Sequence, residues 1–230
     1  MSIKGLIFDF DGLILDTETP EYHTWQDIFG TYGLQLSLDI WSKQLGTSSD
    51  TFDLVVHLGQ QLGRKFTPEE VDQIVELKKK RINEKLFEQP PLPGIREYIE
   101  SAKRTGLRLG IATSSSRAWV SGHLFRLGLL EYFDCIRSAD DVQNVKPHPE
   151  LYQRALQCLA LQPEEAIVFE DSPNGVTAAK AAGIFTVAVP LALTQSLSFD
   201  HADLVLKSLA DLSLEQLLAQ VEKRLNQPTV

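Results

Sequence analysis

Asp9 and Asp11 stand two positions apart directly after an apolar run in "LIFDFDGLILDTE", residues 6–18. A carboxylate at the end of a buried strand can attack a phosphoryl group to give an aspartyl-phosphate, splitting one difficult displacement into two easier ones. Asp9 is best placed for that attack. Asp11, past the strand end, can turn back to give a proton to the leaving oxygen and later draw one from water. A second acidic pair, Glu170 and Asp171, closes the apolar run "AIVFED". Four carboxylates in one pocket would repel one another, and a hard divalent cation relieves the repulsion. Oxygen ligands without His or Cys favour Mg2+ over zinc. Thr113 in "ATSSS", together with the backbone N–H groups of Ser114 and Ser115 at a predicted helix start, suits phosphate oxygens. Lys146 can offset charge that builds up in the transition state.

These residues must be brought together by elements far apart in the chain. Apolar runs of strand length occur at 5–10, 107–113, 134–139, 166–171, 185–190 and 202–208, with helical segments between them. Such alternation predicts an α/β fold, a Rossmann-like parallel sheet covered by helices on both faces. In such sheets ligands bind beyond the carboxyl ends of the strands, where Asp9, Thr113 and the Glu170–Asp171 pair fall. A helix is predicted over 117–127, and another in "KPHPELYQRALQCLA", with Pro147 near its start. Residues 18–88 break the rhythm. Val71, Ile74, Val75, Ile82 and Leu86 form one apolar stripe at helical spacing, and no convincing strand is present. We therefore expect an all-helical cap at 18–88 inserted into a core formed by 1–17 and 89–230. The expected hinges lie near Asp16–Glu18 and Gln89–Gly94.

Composition narrows the setting. A formal charge of −9 argues against phosphate-backbone binding, so no nucleic-acid partner is expected, and the basic run "KKKR" at 78–81 reads as the wet face of a helix. No apolar stretch reaches the roughly 18 residues that span a bilayer, and no cleavable leader is evident, so neither membrane association nor export is expected and the protein is placed in the cytoplasm, acting as a monomer. Cys135 and Cys158, two cysteines far apart, read as small core hydrophobes, with neither a disulfide nor a thiolate metal site expected. Trp25, Phe29 and Trp41 read as packing residues of the helical segment. Gly12 and Gly175 are expected to let backbone approach the site closely.

Taken together the motifs resemble the haloacid dehalogenase superfamily, in its phosphatase and β-phosphoglucomutase-like branch with a helical cap. "DFDGLILDTE" is similar to its first motif, "ATSSS" to its second, "VKPHPELY" to its third and "FEDSPNGVTAAKAAGI" to its fourth. The resemblance spans about residues 1–17 and 91–205. It implies Asp9 as nucleophile, Asp11 as acid/base, Thr113 and Lys146 as phosphate binders, and Mg2+ held by Asp9, Asp171 and the main-chain carbonyl of Asp11. Glu170 would bind the metal directly or through water. Asp11 counts against dehalogenation, because the true dehalogenases lack this second aspartate. Mutases of the branch carry a cap histidine at the position of Glu21, and His23 comes two residues late. Their phosphate-binding cap loop corresponds to "KQLGTSSDTF", which keeps Lys43 alone. The expectation is a Mg2+-dependent phosphatase acting on a small phosphorylated metabolite, with Glu21 and Lys43 on the substrate side. A sugar-phosphate mutase and a non-catalytic phosphometabolite-binding regulator are the alternatives.

Overall fold

The computed structural model describes residues 2–45 and 53–225. Six strands form one sheet: β1 (Gly5–Phe8), β2 (Arg108–Ala112), β3 (Cys135–Arg137), β4 (Ala166–Glu170), β5 (Phe185–Ala188) and β6 (Leu204–Val205). Their order is β3-β2-β1-β4-β5-β6, and every pairing is parallel. All six expected runs are strands, with the 134–139 and 202–208 runs contributing only their centres. Strand order reverses on either side of β1, so the crevice above β1 and β4 is the switch point at which this class of sheet binds ligands.

Alternation along β1 builds the core on both faces. Leu6 and Phe8 pack with Tyr98 and Ile99 of α5 (Ile95–Arg104), with Val120 of α6 (Arg117–Arg126) and with Leu217 of α9 (Leu214–Leu225). Ile7 points the other way, to Leu151 and Tyr152 of α7 (Glu150–Leu159) and to Ala178 and Ala179 of α8 (Pro173–Ala181). Both faces are thus apolar, as a parallel sheet between helical layers requires. Pro147 lies ahead of α7 rather than in its first turn, and Pro149 takes the position just outside the helix.

Between β1 and α5 the described residues hold four α-helices and no strand: α1 (Glu18–Thr31), α2 (Leu38–Trp41), α3 (Leu54–Gln61) and α4 (Pro68–Leu86). Their own cluster contains Trp25, Phe29 and Trp41, which are buried packing residues as expected. Helix α4 begins on Pro68 behind a Thr67 capping box closed by Glu70, which satisfies two of its free N–H groups. Its apolar stripe does not stay together. Ile74 joins the cluster of these helices, Ile82 and Leu86 join the main core, and Val75 is exposed along a cleft. The two chain crossings between the helices and the sheet are tied to each other, since Leu92 N–H donates to the Ile14 carbonyl at 2.9 Å.

The cysteine reading needs correction. Cys135 and Cys158 form a disulfide that joins β3 to α7, with Cα atoms 6.2 Å apart. Sequence separation hid the pairing, because α7 packs against β3 only once the sheet is assembled.

Candidate active site

The loops that leave β1, β2, β3 and β4 meet at the carboxyl ends of the strands. Asp9 extends the β1 ladder, its N–H donating to the Phe169 carbonyl at 3.0 Å, and its side chain is buried. Residues 10–15 then fold back in a tight turn, with Ile14 N–H on the Phe10 carbonyl and Gly12 N–H on the Leu15 carbonyl. This turn returns Asp11 to the site. Gly12 has φ of +78°, and a Cβ there would stand 2.0 Å from Asp171 Oδ2. A Cβ on Gly175 would stand 1.9 Å from Glu170 Oε1. Both glycines therefore admit carboxylates against the backbone, as the sequence suggested.

Lys146 is fully buried and reaches across the site, its Nζ donating to Asp9 Oδ1 at 2.7 Å and to Glu170 Oε1 at 2.6 Å. Tyr152 also donates to Glu170 Oε1. The other oxygen of Glu170 accepts from the N–H groups of Asp171 and Ser172 and from the Ser172 hydroxyl. Glu170 is thus saturated by protein donors and lies beneath the cleft. Asp171 differs sharply. It is 2% exposed, and its Oδ2 has no hydrogen-bond partner among the described residues. Capping of α8 falls to Ser172, whose side chain accepts from Gly175 N–H.

Oxygens of Asp9, Glu170 and Asp171 lie within 4.8 Å of one another. With all three carboxylates ionised, the one ammonium of Lys146 would leave two negative charges uncompensated in a buried place. The electrostatics register this excess: burial pushes Asp9 up to about 7 despite the Lys146 ammonium, with Glu170 and Asp11 adding to the rise. Burial, Asp9 and Glu170 likewise hold the Asp171 carboxyl well above the usual carboxylate range. A single divalent cation restores neutrality, and the all-oxygen donor set with the orphaned Asp171 Oδ2 fits a hard ion such as Mg2+.

Above this cluster opens a cleft of about 610 Å³. From the sheet side it is lined by Asp9, Asp11, Thr113, Ser114, Ser115, Lys146 and Asp171, so seven of the predicted residues converge there. The helix predicted over 117–127 is α6, Arg117–Arg126, with Ser116 as its cap, so Ser114 and Ser115 lie just ahead of its first turn, and Ser115 N–H donates to the Thr113 hydroxyl. The Asp11 carboxylate accepts from the Ser115 hydroxyl at 2.6 Å.

From the helical side come Glu21, Val75, Lys78, Lys79, Ile82 and Asn83. The reading of "KKKR" as a solvated face holds for the exposed Lys79 and Lys80 but misses that Lys78 and Lys79 also line the cleft, where Lys78 donates to Glu21 at 2.6 Å. Which side of α4 meets the sheet is set by docking, and a run of lysines carries no sign of it. Lys43 is exposed and is not among the cleft-lining residues, whereas its neighbour Gln44 is. Positions 46–52 of that loop lie outside the described residues. Sequence reasoning also missed Glu18, a cleft carboxyl raised well above its usual range by burial and by Glu21, Asp11 and Asp9. Its place in a presumed hinge concealed it. His23 is exposed and beside Tyr22.

Comparison with known proteins accords with this geometry. YhcW of Bacillus subtilis (strain 168), provisionally named a phosphatase, is 45% identical over 216 residues, covering 94% of this chain and 96% of its own. A phosphorylated carbohydrates phosphatase of Thermotoga maritima is 35% identical over 182 residues, with 79% of this chain and 82% of its own covered. The crystal structure of a β-phosphoglucomutase from Clostridium difficile superposes with a TM-score of 0.78 at 25% identity, covering 98% of this chain and 100% of that one. The family model for haloacid dehalogenase-like hydrolases matches residues 6–189, and the chain belongs to that family.

Proposed function

We propose that this protein is a Mg2+-dependent phosphatase that hydrolyses a small phosphorylated metabolite through an aspartyl-phosphate on Asp9. One observation carries the reading: a buried cluster two negative charges in excess when fully ionised, with an orphaned carboxylate oxygen, at the switch point of a parallel sheet. Asp9, Asp171 and the main-chain carbonyl of Asp11 would hold the cation, and Glu170, already occupied by Lys146 and Ser172, would act beside them. When bound, the ion shields the phosphate's charge from the carboxylates and stabilises the charge developing on the transferred group.

The chain's own groups then divide the work. An Asp9 oxygen bonds to phosphorus as the bond to the leaving oxygen breaks, and that oxygen takes a proton from Asp11. Water next bonds to phosphorus, gives a proton back to Asp11, and the Asp9–phosphorus bond breaks to release phosphate. Thr113 and Lys146 hold the transferring oxygens, the ammonium matching charge that grows toward the transition state. Residues 18–88 act as a cap that closes on the cleft through the crossings at Asp16–Glu18 and Gln89–Gly94, excluding water and choosing the substrate.

The likeness to a β-phosphoglucomutase favours a second reading, an intramolecular mutase. Hydrolysis is preferred because Glu21 stands where the mutase histidine would be and is neutralised by Lys78. The relatives named as phosphatases agree with this choice. Phosphate release from p-nitrophenyl phosphate and a panel of sugar phosphates, with Mg2+ and then with EDTA, tests it. Release that depends on the metal and is absent in Asp9→Asn is expected. Conversion of β-glucose 1-phosphate to glucose 6-phosphate without free phosphate would establish the mutase instead.

A further inference from the structure

Asp11 can serve as a proton carrier only if its carboxyl group keeps one orientation in the cleft, and a side chain in a surface turn has no intrinsic reason to do so. The restraint comes from α6. Trp119, half-buried on the first turn of that helix, donates from Nε1 to Asp11 Oδ1 at 2.9 Å. The Ser115 hydroxyl donates to Asp11 Oδ2 at 2.6 Å, and the Thr113 hydroxyl approaches the same oxygen at 3.5 Å. These partners differ in kind. An indole N–H is a donor only, whereas a hydroxyl can rotate and accept. The indole N–H already takes one lone pair of Oδ1 and cannot accept in return, whereas the hydroxyls at Oδ2 can rotate to accept, so Oδ2, the side shared with Thr113, is the better-supported place for the proton. The indole is itself held in place: His123 packs edge-on against it at 4.3 Å, and Phe10 lies 6.1 Å behind His123. Phe10 sits in the core between the two catalytic aspartates in sequence.

Resting on the phosphatase reading above, we propose that Trp119 is a positioning residue for Asp11, its N–H fixing the carboxyl group so that proton transfer runs through Oδ2. In the first half reaction the proton leaves Oδ2 for the departing oxygen, which takes the electron pair of the broken phosphorus–oxygen bond. In the second half a proton from the attacking water returns to the same oxygen. No other reactant is needed.

The test exploits leaving groups. A nitrophenolate departs without protonation, whereas an alkoxide requires it, and kcat/KM reports the half reaction in which the leaving group departs. Trp119→Phe would be assayed with Mg2+ on p-nitrophenyl, phenyl and glycerol phosphates, alongside its thermal midpoint. A change within about 3-fold on p-nitrophenyl phosphate and a loss of about 10- to 100-fold on glycerol phosphate is expected, within the range that general acid catalysis contributes. Trp119→His, which keeps a ring N–H, should show a shallower dependence on the leaving group. Equal losses on all three esters, or equal slopes in the two variants, would overturn the proposal, because packing or substrate contact alone does not discriminate leaving groups. Asp11→Asn measured in parallel separates the two possible failures. A flat dependence there removes the acid assignment itself, and a steep one there with a flat one in Trp119→Phe removes only the role of Trp119.

Discussion

Lys146 Nζ stands 2.7 Å from Asp9 Oδ1, although 137 positions separate the two residues, and neither side chain is more than marginally open to solvent. The ammonium is the only positive charge touching the buried carboxylates among the described residues, and they in turn raise its proton affinity further than burial lowers it.

Removing it should therefore be costly in two ways. Lys146→Met leaves Asp9 and Glu170 without their shared donor, and breaking one side of a buried pair costs about 3–5 kcal/mol. Activity should fall by about 10²–10³ in kcat, the scale for losing one preorganised charge-stabilising group. Denaturant titration and steady-state kinetics check the two effects, and a variant of unchanged stability would contradict the pairing.

Mg2+ should stabilise the folded protein whether or not substrate is present. An ion at about 100 times its dissociation constant adds about 2.7 kcal/mol, which for a chain of this size moves the thermal midpoint by about 5–10 °C. Asp171→Asn removes the orphaned oxygen's charge and should abolish most of the shift. An equal Mg2+ shift in wild type and variant would place the ion elsewhere.

Gly12→Ala offers a steric version of the same test. The new Cβ meets Asp171 Oδ2 at 2.0 Å and must also adopt φ of +78°, so Asp171 has to move. Stability should drop by about 1–3 kcal/mol from the left-handed backbone alone, and the Mg2+ response should weaken with it. Calorimetry with and without the ion reads both.

The Cys135–Cys158 bridge closes a loop that contains Lys146, with a sequence separation of 23. Loop-closure entropy for that length corresponds to about 3 kcal/mol, so reduction by a dithiol should lower the denaturant midpoint accordingly. Two titratable thiols in the untreated folded protein would contradict the pairing.

What could be read from the chain depended on whether a residue's partner was implied by its place on a strand. Asp9, Thr113 and Asp171 end apolar runs, and parallel strands bring such ends together without further information. Lys146 was placed on the same edge by its loop after the strand near 136, and motif similarity added its phosphate-binding role. Lys78, Lys79 and Trp119 were not legible, because each lies on a helix whose facing side is set by docking: "KKKR" looks the same whether it meets water or a cleft. Val75 marks the same limit within a single stripe, breaking from Ile74 and Ile82 where α4 passes from one cluster to the other. The disulfide escaped because it depends on α7 lying along β3.

Hydrolysis through a covalent intermediate on Asp9 is tested most directly by trapping that intermediate. Protein mixed with substrate and Mg2+ is quenched with borohydride, which reduces an acyl phosphate to the alcohol, and the peptides are mapped by mass spectrometry. Homoserine at position 9, dependent on substrate and absent in Asp9→Asn, is expected. Reduction at any other residue, or turnover with Asp9 never modified, would contradict the Asp9 intermediate.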